Sequence, residues 1–527
     1  MGSFCLMCGA LMVAALLSSI WSWVVQHAWR QYIIQKKLRE QGVRGPDRSF
    51  WSGCVREITQ MKMAGRQMVM EIHSHDFLER VVPHYVKWAS QYGRTFVYWV
   101  GQRPRLCISD PELVKQVLSN KFGFYPKVPA GPAFMSLLGK GLVLTEGAEW
   151  ARHKRVVGPA FTTDKLKSMT TTMADCAKSM LDNWQGKTEV EASKHFQELT
   201  ADVISHTAFG SSYATGKEVF LAQKQLQMIV MASILRVDFP FKKYFHFLSL
   251  LTLALSAVSG RYLPTETNLR RWKLEKKMRN TLMSIIEKRL VSKETTGYGN
   301  DLLGLMMDAC MSGKQGETIM TMDEIVDECK TFFFAGHETT SHLLTWSMFL
   351  LSIYPEWQEK LREEVIGECG METPEPDKLG KLKLVTMVLF ESLRLYCPVV
   401  ILLRTAYKEM KLGSLTVPKG VDLTIPIAVI HHSKEFWGAD VNEFNPLRFE
   451  NGISKAATHP NAMLAFSIGP RACVGQNFAL LEAKIVLCMI LQRFSFSLSP
   501  DYKHMPIDLI ALQPQRGLPV ILKPFHP

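Results

Sequence analysis

The sequence predicts one large, mainly α-helical domain that follows an apolar amino-terminal segment. After about residue 50, no internal repeat, low-complexity tract or Pro/Gly/Ser-rich linker divides the 527-residue chain. The composition is 47% hydrophobic and 21% charged, which is typical of a globular body with an additional apolar segment. Two long apolar patterns, residues 321–355 and 474–494, have the length of helices rather than of strands.

The amino-terminal segment has the properties of a membrane anchor. Residues Phe4–Val25 carry no charge and are long enough to cross a bilayer as one helix. Three tryptophans suit a membrane–water interface: Trp21, Trp23 and Trp29. Lys and Arg residues follow the run and none precedes it, which predicts a cytoplasmic body and disfavours a cleaved signal peptide. We therefore expect an anchor at residues 1–29, a basic linker at 30–50 and the folded domain at 51–527.

A second apolar run, Phe247–Val258, is too short to span a bilayer. Two interpretations stay open: ordinary core, or a surface that dips into the bilayer and takes up a lipophilic substrate. The formal net charge is +13, and the chain has no recognisable nucleic-acid-binding module. The charge therefore indicates an anionic lipid surface, an acidic protein partner, or simply a solvated basic surface.

The cysteines indicate a reducing compartment. There are eleven, an odd number, and their spacing shows no disulfide framework. Cys5 and Cys8 form a C-x-x-C pair, but they lie inside the apolar run and no second pair exists. We interpret them as small apolar side chains rather than metal or redox ligands.

A polar cluster interrupts the first long helical pattern. The pattern begins with "TMDE", Thr321–Glu324, which has the form of a capping box. In its middle stands "AGHETTS", where Gly336 would let a large group approach the backbone, and Glu338 and Thr339 offer an acid beside a hydroxyl. Local rules of a buried helix are broken here, as happens at functional sites, although a solvent-facing polar turn is the alternative.

A second motif, "FESLRLYCP", places Glu391 and Arg394 on one helix face, where they can form an ion pair. The surrounding apolar residues predict that this pair is buried. A buried pair requires further partners to offset the loss of hydration, and Arg448 is a candidate third member.

The third motif is "AFSIGPRACVGQNFA", in which Cys473 stands between an irregular loop and an apolar helix. We expect the helix terminus to lower the pKa of this thiol, and Gly469 and Gly475 to clear the approach of a flat ligand that Arg471 could pair with. A lone cysteine is a poor zinc site but suits an iron whose other ligands come from a macrocycle. A nucleophilic cysteine is the alternative, but nearby His459 lies in no hydrolase signature.

These motifs, in this order, resemble those of the cytochrome P450 superfamily of haem-thiolate monooxygenases, and the resemblance extends over about residues 50–525. The family's F-x-x-G-x-R-x-C-x-G motif is matched at Phe466, Gly469, Arg471, Cys473 and Gly475. Its A-G-x-E-T-T motif is matched at Ala335, Gly336, Glu338, Thr339 and Thr340. Its E-x-x-R and P-x-R-F motifs are matched at Glu391, Arg394, Pro446, Arg448 and Phe449.

Two positions depart from the family pattern. Leu447 stands where an acidic residue is common, and Lys154 stands where the W-x-x-x-R motif that begins at Trp150 has arginine. Lys154 could still meet a haem propionate as a point charge, without the bidentate geometry of arginine. Arg404 resembles the family arginine that also reaches a propionate.

The resemblance implies a mainly α fold with small β-sheets, and haem b held by Cys473 as axial iron ligand. It implies further cofactor contacts at Trp150, Lys154, Arg404, Arg471, Phe466, Gly336 and Gly475. Glu338 and Thr339 would guide protons to bound O2. Electrons would come from NADPH through the cytochrome P450 reductase of the endoplasmic reticulum membrane, and the basic residues Arg152, Lys154 and Arg155 could dock this acidic partner.

The resemblance also indicates a substrate class. Apolar walls are expected at the family's substrate-contact regions: Phe134, Leu137, Phe334, Val399, Val400, Leu402, Leu509 and Ile510. They predict a lipophilic substrate. Several phrases, among them "HPNAMLAFSIGPRACVGQNFA", are similar to a plant branch and favour an in-chain or subterminal fatty acid, with herbicides as side substrates. The alternatives are a cytokinin, gibberellin, brassinosteroid or terpenoid substrate, a non-oxidative isomerase or dehydratase, and a haem carrier or sensor.

Overall fold

The computed structural model describes residues 29–49, 51–120, 123–235, 264–291, 297–299, 301–311 and 319–525, together with residues 9, 13–15, 17–19 and 21–22. The predicted anchor, residues 1–29, lies largely outside the described residues, and the apolar run Phe247–Val258 lies wholly outside them. Within the described ranges, no helix combines the length and the apolar character needed to cross a membrane.

Helices dominate the fold. The first half of the described chain contains α1 (Arg30–Glu40), α2 (Val55–Gln67), α3 (Leu78–Val81), α4 (Pro83–Tyr92), α5 (Pro111–Leu118), α6 (Pro132–Leu138), α7 (Gly147–Val157), α8 (Thr163–Asp182), α9 (Ala192–Phe209) and α10 (Tyr213–Leu235). The second half contains α11 (Glu266–Val291), α12 (Leu302–Met311), α13 (Met322–Ile353), α14 (Pro355–Cys369), α15 (Pro376–Leu379), α16 (Lys383–Leu395), α17 (Ile427–His431), α18 (Lys434–Trp437) and α19 (Gln476–Arg493).

The strands of the described residues form four small sheets. They are β1 (Thr95–Val100), β2 (Arg103–Ile108), β3 (Glu189–Glu191), β4 (Leu402–Thr405), β5 (Met410–Leu412), β6 (Leu415–Val417), β7 (Asp422–Ile425), β8 (Phe494–Leu498), β9 (Pro506–Leu509), β10 (Ala511–Pro514) and β11 (Pro519–Pro524). One sheet has the order β1-β2-β7-β4, with only the β2–β7 pair parallel. The others are antiparallel, with orders β3-β11-β8, β9-β10 and β5-β6. The predicted class, mainly α with small β-sheets, is confirmed.

Helix α13 is the central element, as its apolar pattern predicts. The capping box is present: the Glu324 amide donates to the Thr321 hydroxyl, and the Thr321 amide donates to the Glu324 carboxylate at 2.7 Å. Almost all later residues of α13 are buried against α6, α9, α16 and α19. The helix ends at Ile353, before Pro355, which begins α14. Its polar cluster is therefore enclosed by packed helices, so the alternative of a solvent-facing turn is excluded.

The segment that we predict to be a basic linker contains α1, which packs on the folded body. Ile34 and Leu38 are buried, and the Lys37 ammonium donates to the Glu409 carboxylate at 2.9 Å. Arg48, which follows the helix, donates to the Gln31 amide oxygen at 2.6 Å. The basic residues of this segment face solvent while an apolar stripe faces the domain, an arrangement that charge composition alone does not reveal.

A chain of buried hydrogen bonds ties the loop before α3 to the carboxyl-terminal strands. The two nitrogens of the His75 ring contact the hydroxyls of Tyr396 at 2.8 Å and Tyr354 at 3.0 Å. The Tyr396 hydroxyl also contacts His504, at 3.1 Å, and the other nitrogen of His504 contacts the Tyr502 hydroxyl at 3.0 Å. Neutral imidazoles suit this chain, because each ring can then act as donor at one nitrogen and acceptor at the other.

The buried histidines of this chain, together with His431 of α17, predict that the fold loses stability in mild acid. Burial lowers the pKa values of His75, His504 and His431 to about 3, from 6.5 when exposed. Below pH 6.5 the unfolded chain binds protons that the folded chain does not, so stability falls as pH falls, by about 1.4 kcal/mol per pH unit for each histidine. We expect the midpoint of thermal unfolding to fall steeply from pH 6.5 to 5. Between pH 7.5 and 8.5 these groups contribute nothing, and a flat profile across the acidic range would contradict the prediction.

Candidate active site

A cavity of about 320 Å³ lies between α13 and the loop that precedes α19. Its wall includes Cys473, Gly475 and Phe466 from the loop, and Gly336 and Thr339 from α13. The polar cluster of the central helix and the lone cysteine, which are far apart in sequence, therefore face one space.

The loop of Cys473 is shaped by tight backbone contacts. The Cys473 amide donates to the Phe466 carbonyl at 2.9 Å, which closes the loop. Gly469 has a φ of +77°, and a Cβ there would lie 2.4 Å from the Leu118 carbonyl oxygen. Gly469 is thus required by packing against α5 rather than by the approach of a ligand, contrary to our expectation. At Gly475, by contrast, a Cβ would meet only Phe161, at 4.0 Å, so this glycine does leave the cavity open.

The sulfur of Cys473 is accessible from the cavity. Among the cysteines of the described residues it alone is exposed. Burial of the site raises the pKa of the Cys473 thiol, and the N–H group of Gly475 only partly opposes this shift. The predicted lowering of the pKa by the helix terminus is therefore wrong for the protein alone. A bound metal ion would reverse the balance, because it deprotonates a coordinating thiol.

Basic side chains gather at one edge of the cavity. Arg471 donates to the Thr145 carbonyl at 2.7 Å and to the Glu146 carboxylate at 3.0 Å, and its second terminal nitrogen is buried without a hydrogen-bond partner among the described residues. Arg404, a predicted cofactor contact, is not part of the described wall; burial and the neighbouring Arg471 lower its pKa to about 10. Burial and both arginines lower that of Lys127 to about 7. Because Lys127 is only about half protonated near pH 7, the two arginines carry most of the positive charge, which exceeds the single Glu146 charge and suits an anionic ligand.

Trp150 and Lys154, both on α7, also line the cavity. The Arg471 guanidinium lies over the Trp150 ring, 4.6 Å from its centroid, and the Lys154 ammonium lies 5.0 Å from the same centroid. The Lys154 ammonium also donates to the Pro470 carbonyl at 3.0 Å. Lysine at the position of the family arginine thus stays beside the cysteine loop.

On α13, the acid and the hydroxyl diverge. The Thr339 side chain lines the cavity and donates to the Ala335 carbonyl one turn earlier, at 2.8 Å. The Glu338 carboxylate is not part of the cavity wall, and it bonds instead to Gln227 and His342. The two side chains are adjacent in sequence, but about 100° of helix rotation separates them.

The structure brings the predicted ion cluster together. Arg394 donates to Glu391 through two nitrogens, each at 2.7 Å, and both side chains are fully buried. Arg448 lies 3.5 Å from the same carboxylate and also pairs with Asp440. The backbone N–H of Asn445 donates a further hydrogen bond to the Glu391 carboxylate at 3.0 Å. These partners are the ones that a buried pair requires.

The predicted substrate walls are only partly at the cavity. Val399 and Leu402 line it, and the following predicted residues do not: Phe134, Leu137, Phe334, Val400, Leu509 and Ile510. Phe334 lies on the α13 face away from Gly336 and Thr339, beside His337. Leu137 is enclosed between α6 and α10, and Leu509 and Ile510 form the β9–β10 turn. Regions carried over from a family do not specify which face of an element is turned inward.

Several residues of the site escaped the sequence analysis. Lys127 lies in no motif, and its one signal is a lysine close to two prolines in "YPKVP". Ile204 of α9 lines the cavity and would meet a Cβ at Gly336, 2.8 Å away, so Gly336 is needed for helix packing as well. Gln227 contacts Glu338 from α10, and its signal is a pair of glutamines four residues apart in an apolar helix.

The donor set fits a haem. One soft sulfur faces the cavity, with no other cysteine, histidine or carboxylate in the described wall, so a metal held there needs its remaining ligands from elsewhere. The wall is otherwise mainly apolar, and its basic residues Lys127, Lys154 and Arg471 suit the two carboxylates of such a macrocycle. The fold and site thus define a haem-thiolate protein.

The chain belongs to the cytochrome P450 family, whose model matches residues 68–520. It is 49% identical to cytochrome P450 709B1 of Arabidopsis thaliana, over 94% of both chains. It is 47% identical to cytochrome P450 709B3 of the same plant, over 97% of this chain and 96% of the relative. It is 39% identical to secologanin synthase 1 of Catharanthus roseus, over 95% of both chains.

Membership of this family makes the chain a monooxygenase of the plant branch. The family uses haem iron and O2, takes electrons from a reductase, and acts on lipophilic substrates. The alternatives of a nucleophilic cysteine enzyme and of a simple haem carrier are therefore not favoured by the comparisons.

The open space at Gly475 leads to a testable prediction. A Gly475→Val variant places a side chain in the cavity without a clash in the protein, because its Cβ meets only Phe161. We expect it to fold but to retain several-fold less haem per chain, as measured by haem absorbance against protein concentration. Gly367→Val is the matched control, because Gly367 is exposed on α14 and has nothing near its Cβ. Equal haem content in both variants would contradict the assignment.

Proposed function

We propose that this chain is an NADPH- and O2-dependent monooxygenase that hydroxylates a lipophilic small molecule, a fatty acid at in-chain or subterminal positions in the first place. The observation that carries the proposal is that Cys473 and Thr339 line one mainly apolar cavity. A thiol alone would suit other chemistries, but a thiol, an alcohol and apolar walls together suit oxygenation of a substrate held by shape.

In this proposal the Cys473 sulfur would hold haem b, and the basic residues of the cavity wall would meet its carboxylates. The haem, when bound, supplies the activation of O2, which electron donation from the thiolate favours. Arg471 is well placed for a carboxylate because one of its terminal nitrogens is still unpartnered among the described residues. Lys154 and Arg404 add positive charge. The Trp150 ring contacts the charged groups of Arg471 and Lys154 and keeps them in place.

The proposed proton route uses the α13 cluster. Thr339 holds a hydroxyl on the cavity wall, where it can donate a proton to oxygen bound in the cavity. The Glu338 carboxylate lies on the polar side of the helix, where Gln227 and His342 contact it, and it can accept a proton there and pass it toward Thr339. In the structure the Thr339 hydroxyl donates to the Ala335 carbonyl, so donation into the cavity requires the hydroxyl to rotate away from this bond.

We place the protein in the endoplasmic reticulum membrane, anchored by residues 1–29, with residues 51–527 in the cytoplasm. The uncharged run Phe4–Val25 and the basic residues that follow it support this arrangement. The partner would be the NADPH-dependent reductase. On α7, Lys154 and Arg155 are exposed and available to an acidic surface, whereas Arg152 is paired with Glu324 at 2.5 Å.

The substrate class is supported by the cavity wall. The following side chains line it: Leu142, Phe161, Ile204, Leu343, Val399 and Leu402. They offer no hydrogen bonds, so they select apolar shape rather than polar groups. The second candidates are a plant hormone or a terpenoid, and the terpenoid has support from two relatives that are named for secologanin rather than for a fatty acid.

Binding spectra of the membrane-bound protein test the substrate. A panel of fatty acids, isoprenoid cytokinins, gibberellins, brassinosteroids and terpenoids is added to the oxidised protein, and the shift of the Soret band is recorded. We expect saturable shifts with medium-chain fatty acids, followed by hydroxylated products that require NADPH and O2. Fatty acids that leave the band unmoved while a cytokinin shifts it would replace the first candidate by the second.

A further inference from the structure

The side chain of Gln227 connects three separate elements. It lies on α10, is 7% exposed, and its amide nitrogen donates to the Glu338 carboxylate at 2.8 Å and to the Leu509 carbonyl at 2.6 Å. A side-chain amide has two N–H bonds, so both are used. One buried group thus joins α10, α13 and the β9–β10 turn.

The carboxylate that Gln227 contacts is charged although it is buried. Burial raises the pKa of Glu338, but hydrogen bonding from His342, the nearby His337 and the amide of Gln227 outweigh it and lower the pKa to about 2. His337 and His342 belong to α13, the helix of Glu338 itself. Of the partners described here, Gln227 is the one that reaches Glu338 from another element, so it alone can tie the carboxylate to a neighbouring helix.

The other acceptor of Gln227 is held firmly. Leu509 precedes Ile510, which has a φ of +77°, a backbone conformation that residues other than glycine rarely adopt. Three residues beyond Leu509, the Leu512 carbonyl accepts a hydrogen bond from the Trp346 indole of α13 at 2.9 Å. The turn is therefore fixed to α13, and its carbonyl fixes the direction of the Gln227 amide.

We propose that Gln227 is a positioning residue for proton delivery. It fixes the position of the Glu338 carboxylate relative to Thr339, and it makes that position depend on the packing of α10. This inference rests on the proton-delivery role proposed above for Glu338 and Thr339. Without the amide, the carboxylate keeps only partners on its own helix and loses the donor that fixes it from outside. Protons then reach the cavity less reliably, and electrons from NADPH leave as hydrogen peroxide, formed from O2, two electrons and two protons, instead of entering product.

The chain offers a matched control in Gln223, one turn earlier on α10. Gln223 is 1% exposed, and its amide donates to the Lys330 carbonyl at 2.8 Å and to the Leu137 carbonyl at 3.4 Å. Both glutamines therefore connect α10 to α13, but Gln223 binds backbone carbonyls where Gln227 binds a carboxylate. A Gln223→Leu variant disturbs the same helix interface without altering the surroundings of Glu338.

The experiment compares five variants: Gln227→Leu, Gln223→Leu, Glu338→Gln, Thr339→Ala and the double variant Gln227→Leu/Glu338→Gln. Dodecanoic acid is the probe substrate, or the panel compound that shifts the Soret band if dodecanoic acid does not. We expect Gln227→Leu to lower product formed per NADPH roughly tenfold, the scale of one lost hydrogen bond to a charged group, and Gln223→Leu to leave this ratio unchanged. The double variant should be no worse than Glu338→Gln, because the two residues act through one contact.

Two further measurements separate positioning from a general loss of structure. In Gln227→Leu the Soret shift produced by the probe substrate should match that of the parent protein, because the contact between Gln227 and Glu338 lies outside the described cavity wall. Gln227→Glu should lower product per NADPH at least as far as Gln227→Leu, because it places a second carboxylate beside Glu338 where the donor stood. Backbone hydrogen exchange of α10, measured without turnover, should speed up in both leucine variants, which shows that each loosens the interface.

The outcomes distinguish the two proposals. If Glu338→Gln lowers the ratio while Gln227→Leu behaves like Gln223→Leu, the positioning role is overturned and the proton route stands. If Glu338→Gln and Thr339→Ala both leave the ratio unchanged, the proton route fails, and the role of Gln227 fails with it.

Discussion

Replacing Cys473 by alanine is expected to abolish oxygenation while leaving a folded protein. The sulfur is the one soft ligand in the described cavity wall, and no neighbouring side chain there can take its place on iron. The reduced protein under carbon monoxide should lose the red-shifted absorption band typical of thiolate-ligated haem. Turnover should fall at least roughly a thousandfold, the scale seen when a central catalytic residue is removed.

Cys310→Ala is the matched control for this substitution. Cys310 is a half-buried thiol on α12 and does not line the cavity, so its loss should leave both the absorption band and turnover intact. A Cys473→Ala protein that kept the thiolate-type band would place the ligand elsewhere. If Cys473→Ala lost the thiolate-type band but kept full oxygenation, the proposed mechanism would be wrong.

The parts of the site that could be predicted from the sequence are those whose signal is local. The capping box of α13, the Glu391–Arg394 spacing and the loop of Cys473 each depend on residues a few positions apart. Their chemistry then follows from geometry that any helix or tight loop imposes. The structure adds chiefly the partners that complete these motifs, such as the backbone N–H of Asn445, which donates to the Glu391 carboxylate.

What could not be predicted depends on contacts between distant segments. The pKa of Cys473 was expected to be lowered by the helix terminus, but the enclosure of the site raises it, and enclosure is not visible in a motif. Lys127 and Gln227 are single polar residues whose roles come from Arg471 and Glu338, some 344 and 111 positions away in sequence. Phe334 is apolar, as a pocket residue should be, but it lies on the face of α13 opposite the cavity.

Breaking the buried Glu391–Arg394 pair is expected to have the largest effect on stability. A Glu391→Ala variant leaves the Arg394 charge buried without its carboxylate, which costs about 3–5 kcal/mol of unfolding free energy. Glu409→Ala is the control, because the Lys37–Glu409 pair has a similar distance, 2.9 Å, but both side chains are about half exposed. Exposed pairs contribute about 0–1 kcal/mol. Comparable losses in the two variants, measured by denaturant unfolding, would contradict a structural role for the cluster.

The same variant should also lose haem, because the cluster is linked to the cysteine loop. Arg394 donates to the carbonyls of His431 at 3.1 Å and Val441 at 2.6 Å, which places α17 against α16. The neutral ring of His431 then accepts a hydrogen bond from the Leu464 amide at 2.9 Å, where the loop toward Cys473 begins. Removing Glu391 frees the guanidinium to shift, so the strain passes through His431 to the loop. We therefore expect haem content and unfolding free energy to fall together in Glu391→Ala, whereas Glu409→Ala should keep its haem.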